Sequence, residues 1–495
     1  MFKMVCTTSV GKWTYQKKSL ATLFLWLSVG SLGLTACSFT PHYQRPAFEA
    51  PQQFSVASED WVKAGSTPLT LDLHWWRHLN DPELDQWQQL LLKENNSLKA
   101  AHANYLRAKA VADVAPRAFL PTLGVSADSA RSKRDSSSSN NNATTSTNKR
   151  VSTSSSLTFT THWEADLWGG IHAQYEASII GAEAAQATLA SALLSLQASL
   201  AQTAVQLRIA DQQLIELDIL RKSYAQILQL TESRYKAGAV SIFEVEQIRI
   251  SLQTAELQYR EAQSQRAQYE HTVAILVGKI PGQWHIQPRP VALNIPAIST
   301  ELPSTLLERR PDIAVAERNV AVANARIGVA KAAYFPALSF DASLGNQADG
   351  WAKWFSAPLS LWSLGSSVAF SILDSGQRKL QTEQAKADYE ATVATYRDTV
   401  LTAFKEVEDS LVSLKSLQDQ QGFMESALNS TEKRLTLVEQ QKAVGTVSGL
   451  EVLNARLTQS IQKRSLIDVQ GARLLATVQL VKALGGGVWN TAEGK

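Results

Sequence analysis

The 495-residue sequence is composed of two similar halves, and this internal repeat restricts its fold more than any other feature. The stretch 98–123 aligns without a gap with 313–338, and each is an Ala-rich helical stretch that stops at a Pro and continues as an extended segment. Further on, 235–245 matches 442–452 around a central Gly. A period of about two hundred residues is too long for a solenoid unit, so we predict a duplicated half-molecule.

Each half contains two runs of about ten residues in which apolar and polar residues alternate. This period of two predicts strands with one apolar and one polar face, and ten residues is about the length of a tilted transmembrane strand. A soluble β-sandwich would show the same alternation in any single strand. Four strands are too few to close a barrel, so the apolar face would need partner chains. The apolar positions are Leu123, Val125, Ala127, Leu157, Phe159, Trp163, Leu338, Phe340, Ala342, Leu344, Leu364, Val368, Phe370 and Ile372.

The segments between the paired runs have the composition of loops. Residues 132–156 are almost entirely Ser, Asn and Thr with a few charges, which predicts a solvated loop between the first two strands. Residues 347–362, between the other two strands, are richer in aromatic side chains. Tryptophans at strand ends are typical of the interfacial girdles of membrane barrels, although packing in an ordinary core explains any single one equally well.

The longest predicted elements are helices. Residues 171–236 and 376–444 contain no Pro and few Gly, and at 1.5 Å per residue each run would reach roughly 100 Å. Apolar residues recur at three- and four-residue steps, as in coiled-coil seams. A soluble coiled coil would explain these helices but not the strands. Gly238 and Gly445 follow the two runs, and we predict that each lies in the turn at the tip of a helical hairpin.

The N-terminal segment has the features of a lipoprotein signal peptide. Lysines precede an apolar run, 20–34, which is shorter than the ~20 residues of a membrane-spanning helix. The run ends in Leu-Thr-Ala-Cys, which resembles the bacterial lipobox, in which the Cys is acylated and becomes the first residue. We predict that residues 1–36 are removed and that Cys37 carries N-acyl and S-diacylglycerol lipid, with no other cofactor. Ser38 follows in place of Asp, which favours the outer membrane.

Composition and motifs argue against several classes of function. The net charge of +3 and the scattered Lys and Arg give no reason to expect a nucleic-acid partner. Only Cys6 and Cys37 are present, so neither a disulfide framework nor a Cys-rich metal site is expected. His74 and His78 are four residues apart, but no acidic or Cys pattern joins them. Because no phosphate-binding Gly loop or nucleophile elbow occurs either, we predict that the protein is not an enzyme and binds no metal.

Short motifs spread over most of the mature chain resemble those of TolC-like outer-membrane efflux proteins, specifically their lipoprotein branch. Each motif alone is weak, and their order and coverage make the match specific. The matching segments are Cys37 with 41–46, 75–76 with 81–84, 166–169, 308–313, 335–336, 374–376, Tyr389, 403–410 and 483–487.

The resemblance implies the fold class and the partners. Three copies would form a twelve-stranded transmembrane β-barrel, with four strands per chain, continuous with a long periplasmic α-helical barrel. Cys37 would hold each chain to outer-membrane lipid. The homotrimer would be the outer-membrane channel, or exit duct, of a tripartite efflux system. Its partners would be a periplasmic adaptor (membrane fusion) protein and an inner-membrane pump of the RND type.

The resemblance also implies a periplasmic gate close to the second Gly turn. Glu451 stands where a ring of carboxylates is expected, and three copies would attract cations. Asn454 stands where a second ring would be, so that charge is missing here. Val447 replaces an Arg that can tether the gate, and Arg456 is the candidate substitute. The alternative is that Glu451 is an ordinary solvated residue.

In the first repeat, Glu244 and Arg249 hold the places that correspond to Glu451 and Arg456. They would line the outer helix pair or an adaptor groove. We divide the chain into the signal peptide at 1–36, an extended lipid-anchored segment at 37–80, a first efflux repeat at 81–290 and a second at 291–495. Two other functions stay open, namely a pump-independent outer-membrane pore or adhesin and a periplasmic coiled-coil scaffold.

Overall fold

The computed structural model describes residues 39–49, 74–136, 148–289, 309–348 and 361–486, so the predicted signal peptide and Cys37 lie outside it. The chain forms two compact units, and each unit takes segments from both repeats. Among the described residues, the sheet unit contains 39–42, 114–136, 148–177, 324–348 and 361–387, and the helical unit contains 43–49, 74–113, 178–289, 309–323 and 388–486.

The sheet unit is built on four antiparallel strands that follow one another in chain order. Their sequences are rich in β-branched, aromatic and Ser residues that alternate between the two faces. The strands are β1 (Thr122–Ser136), β2 (Asn148–Ala165), β3 (Ala337–Ala348) and β4 (Leu361–Ala369).

The register places the apolar positions of all four strands on one face. Val125 lies opposite Phe159, Phe159 opposite Leu344, and Leu344 opposite Trp362. Residues directly opposite each other in a sheet point to the same side, so these four form one apolar row. Trp362 is 77 % exposed and Val125 is 64 % exposed. The predicted apolar face is therefore present, although β4 ends before Phe370.

The opposite face is lined with hydroxyl groups. Ser343 and Ser363 lie opposite each other with their Oγ atoms 2.8 Å apart, and Ser339 and Ser367 repeat this contact at the same distance. On the same face, His162 Nδ1 lies 2.8 Å from Asp341 Oδ1. This wall is polar but carries few charges.

The predicted loop at 132–156 is wrong over most of its length. β1 continues to Ser136 and β2 begins at Asn148, so any loop is confined to 137–147, outside the described residues. Hydroxyl contacts join the extended strands: Ser132 Oγ lies 2.9 Å from Ser152 Oγ. Low-complexity composition was mistaken for irregular structure because Ser and Thr, which favour loops, also bond across strands and tolerate a ladder well.

Seven α-helices are described, and the four longest form two pairs. They are α1 (Pro82–Glu94), α2 (Asn96–Val114), α3 (Gly170–Lys236), α4 (Ile242–Leu276), α5 (Pro311–Ala332), α6 (Gln377–Ala443) and α7 (Gly449–Ala483). Short 3-10 turns occupy Trp75–Leu79 and Ala115–Phe119.

The two pairs of long helices show the internal repeat directly. α3 and α6 both have 67 residues, and α4 and α7 both have 35. Each member of the second pair begins 207 positions after its counterpart (377 − 170 and 449 − 242). The predicted long helices are thus observed. α3 is also long and apolar enough to cross a membrane by length and composition alone, a test that buried helices pass as well.

The core of the helical unit lies where α1 meets the middle of the long helices. Leu84, Trp87 and Leu91 of α1 pack with Leu200 and Leu207 of α3. Leu91, Leu200 and Leu207 are fully buried, and each such side chain stabilises the fold by roughly 1.5–3 kcal/mol. This core holds together the long helices of both hairpins.

Candidate gate, anchor and assembly sites

Both hairpin tips are built in the same way. Gly238 and Gly445 adopt φ values of +71° and +78°, a left-handed conformation that L side chains rarely adopt. The following amides, of Ala239 and Thr446, donate back to carbonyls five residues earlier, which closes a Schellman turn. The predicted turn residues are therefore the residues that end α3 and α6.

The helices after the turns begin with matching N-caps. The hydroxyl of Ser241 accepts from the Glu244 amide, and the hydroxyl of Ser448 accepts from the Glu451 amide, both at 3.4 Å. A Ser followed three residues later by Glu is the signature of a capping box, and the acidic side chain suits the positive end of the helix. Both Glu residues therefore lie in the first turn of a capped helix.

The side chains of the predicted gate residues Glu451 and Asn454 are both exposed on the first turns of α7. The carbonyl of Asn454 accepts from the Thr458 hydroxyl at 3.0 Å, which is an ordinary helix contact. The two residues are three positions apart on one helix and therefore lie on the same side of it. A role for either at a constriction therefore depends on the assembly of several chains.

Arg456 and Arg249 each form an ion pair across their own hairpin. Arg456 Nη2 donates to Glu439 Oε1 at 2.8 Å, and Arg249 Nη2 donates to Glu232 Oε1 at 3.1 Å. The partners Glu232 and Glu439 are 207 positions apart, as the arginines are. Sequence reasoning had missed both carboxylates, although the repeat spacing would have found the second from the first.

Above the tips, α7 packs along α3 within the chain. Leu450 and Leu457 of α7 join Leu217, Leu220 and Ile227 of α3 in one apolar cluster. Polar contacts extend the same interface, because Ser460 Oγ donates to Glu216 Oε2 at 3.0 Å. This packing attaches the second hairpin to the first.

In the sheet unit, the residues just after the predicted lipidation site are held by two contacts, and a third ring extends one of them. Phe39 stacks on Phe335 with ring centroids 4.4 Å apart, and Phe335 stacks on Trp168 at 4.7 Å. Asn324 Nδ2 donates to the Pro41 carbonyl at 2.7 Å. Cys37 itself lies outside the described residues, but the chain two residues later is fixed.

In the helical unit, the same N-terminal segment packs against α5 and α6. The Tyr43 hydroxyl donates to Glu317 Oε1 at 2.5 Å, and Phe48 stacks on Phe404 with ring centroids 5.7 Å apart. Burial, together with the hydrogen bond to Glu317, raises the pKa of Tyr43 well above its usual range, so it stays a neutral donor. The predicted extended segment is thus ordered over 43–49.

A buried charged network centres on Arg208 of α3, whose side chain is fully buried. Arg208 Nε donates to Asp81 Oδ2 at 2.8 Å, and Arg208 Nη2 donates to Glu83 Oε2 at 2.5 Å. Asp211 lies 3.7 Å from Arg208 and also accepts from Arg266 Nε at 2.8 Å. Although burial alone would lower the pKa of Arg208, its hydrogen bonds to Asp81 and Glu83 raise it.

A second buried arginine joins three helices. Arg310 Nη1 donates to Glu406 of α6 at 2.7 Å and to the carbonyl of Ala483, the last residue of α7, at 2.9 Å. Its Nη2 donates to Asp312 at 2.6 Å, at the start of α5. Asp81, Arg310 and Glu406 all belong to the motifs that resemble those of TolC-like proteins. At these three positions, the motif side chains form ion pairs that join helices.

Comparison with known proteins assigns the family. The model of the outer membrane efflux protein family matches this chain twice, over residues 87–279 and 302–486. These two ranges cover well over half of the sequence and fall one in each repeat.

The chain belongs to the outer membrane efflux protein family. Among its relatives, the pyoverdine export outer membrane protein OpmQ of Pseudomonas aeruginosa is 32 % identical over 467 residues, which is 93 % of this chain and 96 % of that protein. The cation efflux system protein CusC of Escherichia coli K12 is 27 % identical over 468 residues, with coverage of 92 % and 98 %.

Solved efflux channels have the same fold. The Campylobacter jejuni CmeC outer membrane channel aligns with a TM-score of 0.80 at 23 % identity, covering 92 % of this chain and 96 % of that one. The open state of the Neisseria gonorrhoeae MtrE outer membrane channel aligns with a TM-score of 0.76 at 25 % identity, with coverage of 91 % and 98 %. The predicted fold class is confirmed, and so is the predicted function as the outer-membrane channel of an efflux system. The outer-membrane location is confirmed with it.

Proposed function

We propose that three copies of this efflux protein form one channel, a twelve-stranded barrel above a periplasmic helical barrel. The observation that carries the proposal is the sheet. Within the described chain, β1 and β4 are its edge strands, each paired on one side only, and the apolar row on one face includes the exposed side chains of Val125 and Trp362. Open edges and an apolar face are both satisfied when the sheets of three chains join edge to edge in lipid.

The channel then works with two partners, a periplasmic adaptor and an inner-membrane pump of the RND type. In this role the channel conducts what the pump delivers. Relatives named for pyoverdine export, cation efflux and toluene efflux span very different substrates, which fits a wide duct whose cargo is selected elsewhere.

One experiment separates this function from its two alternatives. The gene is deleted in strains with and without the cognate pump, and susceptibility to pump substrates is measured. We expect deletion to sensitise cells only when the pump is present. Sensitisation without the pump would indicate a pump-independent pore, and a protein that is recovered only in the periplasmic fraction would indicate a scaffold.

We further propose that Cys37 carries the lipid that anchors each chain. Support comes from two contacts that hold the chain just after Cys37 against the sheet unit. Phe39 stacks on Phe335, and the Pro41 carbonyl accepts a hydrogen bond from Asn324. One acyl chain gives only marginal membrane binding, whereas a diacylglycerol plus an N-acyl chain gives stable anchoring.

The Cys37→Ser variant is expected to lose all incorporation of labelled palmitate, because Ser has no thiol to acylate. Metabolic labelling followed by immunoprecipitation measures this directly. Cys6→Ser is the matched control, because it lies in the predicted signal peptide and its label should be unchanged. Full labelling of Cys37→Ser would contradict the anchor.

The periplasmic gate is proposed at the start of α7, where the exposed Glu451 side chains of three copies would form a carboxylate ring. A ring of like charges concentrates cations and repels anions. Arg456, paired with Glu439, would hold the hairpin that carries this ring, and Asn454 would leave the next position of the constriction uncharged.

Glu451→Ala is expected to reduce the cation selectivity of the reconstituted channel and its block by polyvalent cations, because three negative charges are removed at once. Reversal potentials in asymmetric salt across a planar bilayer measure the change. The control is Glu244→Ala, which removes the equivalent capping residue of the first repeat. Equal effects of the two variants would mean that Glu451 acts only as an acidic side chain in the first turn of its helix.

A further inference from the structure

The paired strands β1 and β2 extend past the other two strands of the sheet as a two-stranded ribbon. The β1–β2 ladder continues to Ser136 opposite Asn148, whereas β2 pairs with β3 only from Ser155 onwards. Residues 148–154 of β2 therefore pair with 130–136 of β1 alone, and at about 3.3 Å per residue this ribbon is roughly 23 Å long.

The ribbon lies at the end of the strands away from their connections to helices. β1 begins at Thr122, just after the 3-10 turn Ala115–Phe119, and β2 ends at Ala165, just before α3. Both connections are thus at the opposite end of these two strands. With the helices in the periplasm, as proposed above, the ribbon points to the cell exterior.

Along one face of β1, apolar residues are followed by cations. Every second residue from Leu123 to Lys133 lies on the apolar face of the sheet, because successive side chains of a strand point to opposite sides. The first three of these residues are apolar, the next is Ser129, and the last two are Arg131 and Lys133, both with exposed side chains. The apolar face therefore becomes basic where the ribbon leaves the sheet.

The distances along the strand place these cations at a membrane surface. Arg131 follows Ala127, the last apolar residue of this face on β1, by about 13 Å, and Lys133 follows it by about 20 Å. Strands of membrane barrels tilt by about 40°, so the heights above Ala127 are roughly 10 and 15 Å. Headgroups add about 5–8 Å to each side of the hydrocarbon core, and long basic side chains can reach back towards them. Both cations are therefore within reach of the headgroup layer.

The positive charge on this face is specific to the ribbon. Asp128, the acidic residue before Arg131 on β1, lies on the opposite face, and Asp135 lies opposite Lys149 in the register. β3 and β4 contain no Lys or Arg over their described lengths. Arg131 and Lys133 thus give this face two positive charges per chain.

We infer that Arg131 and Lys133 bind phosphate groups of lipopolysaccharide, the phosphorylated glycolipid of the outer leaflet. The inference rests on the proposed barrel, since only there does the apolar face of the sheet meet lipid. Arg presents a planar fork that matches phosphate oxygens, and Lys adds a compact point charge. Thr153, directly opposite Arg131, adds a hydroxyl group on the same face.

A lipid suits this surface better than a soluble anion does. Arg131 and Lys133 stand on an exposed ribbon, so a free phosphate would keep most of its contacts with water and bind weakly. A headgroup is already held beside the ribbon by acyl chains that contact the apolar face, which raises its effective concentration. The same contacts would stabilise the ribbon, because two strands alone are marginally stable in water.

Titration of the channel in non-ionic detergent with lipid A, the diphosphorylated anchor of lipopolysaccharide, tests the site. Native mass spectrometry counts the bound lipids. We expect the double variant Arg131→Gln with Lys133→Gln to bind lipid A about thirtyfold more weakly than the wild type, as for the loss of two cations at an anionic surface. Equal affinities would overturn the site.

The matched control is Ala130→Glu with Ser132→Glu, which makes the same change in net charge on the opposite face of the ribbon. Its affinity for lipid A should stay within about threefold of the wild type, because salt screens charges that do not contact the lipid. A loss as large as that of the double variant would mean that only the overall charge matters, and would overturn the assignment to this face.

Two further measurements identify the ligand with the wild-type protein alone. Dephosphorylated lipid A should bind about as weakly as lipid A binds to the double variant, and millimolar inorganic phosphate should not displace lipid A. Equal binding of the two lipids, or displacement by phosphate, would overturn the lipid phosphate as the ligand. Light scattering on the same samples separates the two proposals: a trimer without phosphate-dependent binding leaves the barrel standing, and a monomer overturns both.

Discussion

Replacing Arg456 with Ala is expected to raise the open probability of the reconstituted channel by up to roughly a hundredfold, whereas Arg249→Ala changes it little. Each exposed ion pair contributes at most about 1 kcal/mol. Three copies that move together would shift the closed state by up to about 3 kcal/mol, and each 1.4 kcal/mol is a factor of ten. The repeat provides the control, because both arginines make the same contact in the same kind of hairpin.

Single-channel recording in planar bilayers measures this difference. Arg456→Lys should raise the open probability less than Arg456→Ala does, because Lys keeps the positive charge but loses the planar guanidinium fork. High salt should also raise the open probability of the wild-type channel, since salt screens exposed ion pairs. If Arg249→Ala opens the channel as much as Arg456→Ala, the two hairpins share the gating role and the assignment to the second repeat is wrong.

Arg208→Ala is expected to destabilise the helical unit by about 3–5 kcal/mol per chain, because it leaves buried carboxylates without their cation. Asp81 is itself only 5 % exposed, and Asp211 only 3 %. Arg266 contacts Asp211 but does not reach Asp81 among the contacts described. The midpoint of guanidinium unfolding, followed by far-UV circular dichroism in detergent, measures the loss.

Arg77→Ala serves as the control for the Arg208 variant. Arg77 pairs with Asp85 at 2.9 Å, but its side chain is 55 % exposed, and such pairs contribute about 1 kcal/mol or less. If Arg208→Ala lowers the free energy of unfolding no more than Arg77→Ala does, water enters the network and replaces the missing guanidinium.

The sequence predicted the regular elements well, because their physical signals are local. The absence of Pro from 171–236 was enough to predict α3, and strict alternation around Phe340 was enough to orient β3. The strand boundaries at Ser136 and Asn148 were missed because Ser-rich composition carries no period. Periodicity therefore predicted more than composition did.

The candidate sites were predictable only in part. Gly238 and Gly445 could be placed at turns because a positive φ demands a particular residue type. The bond from Asn324 to the Pro41 carbonyl joins residues 283 positions apart and has no sequence signal. Glu451 had two explanations from the start, a gate carboxylate and an ordinary solvated residue, and its exposed side chain in a single chain is compatible with both.

The hydroxyl pairs on the polar face of the sheet bear on how cargo travels. Ser339 with Ser367, and Ser343 with Ser363, form one hydrogen bond per pair, which leaves one hydroxyl donor and several lone pairs of each pair to bind water. A wall of this kind is hydrated and carries few charges, so a passing solute meets neutral hydroxyl groups and water and few charged groups that would bind it strongly. In the proposed trimer this face would line the barrel and bind solutes only weakly, so that solutes of very different chemistry would stay inside the barrel for a short time.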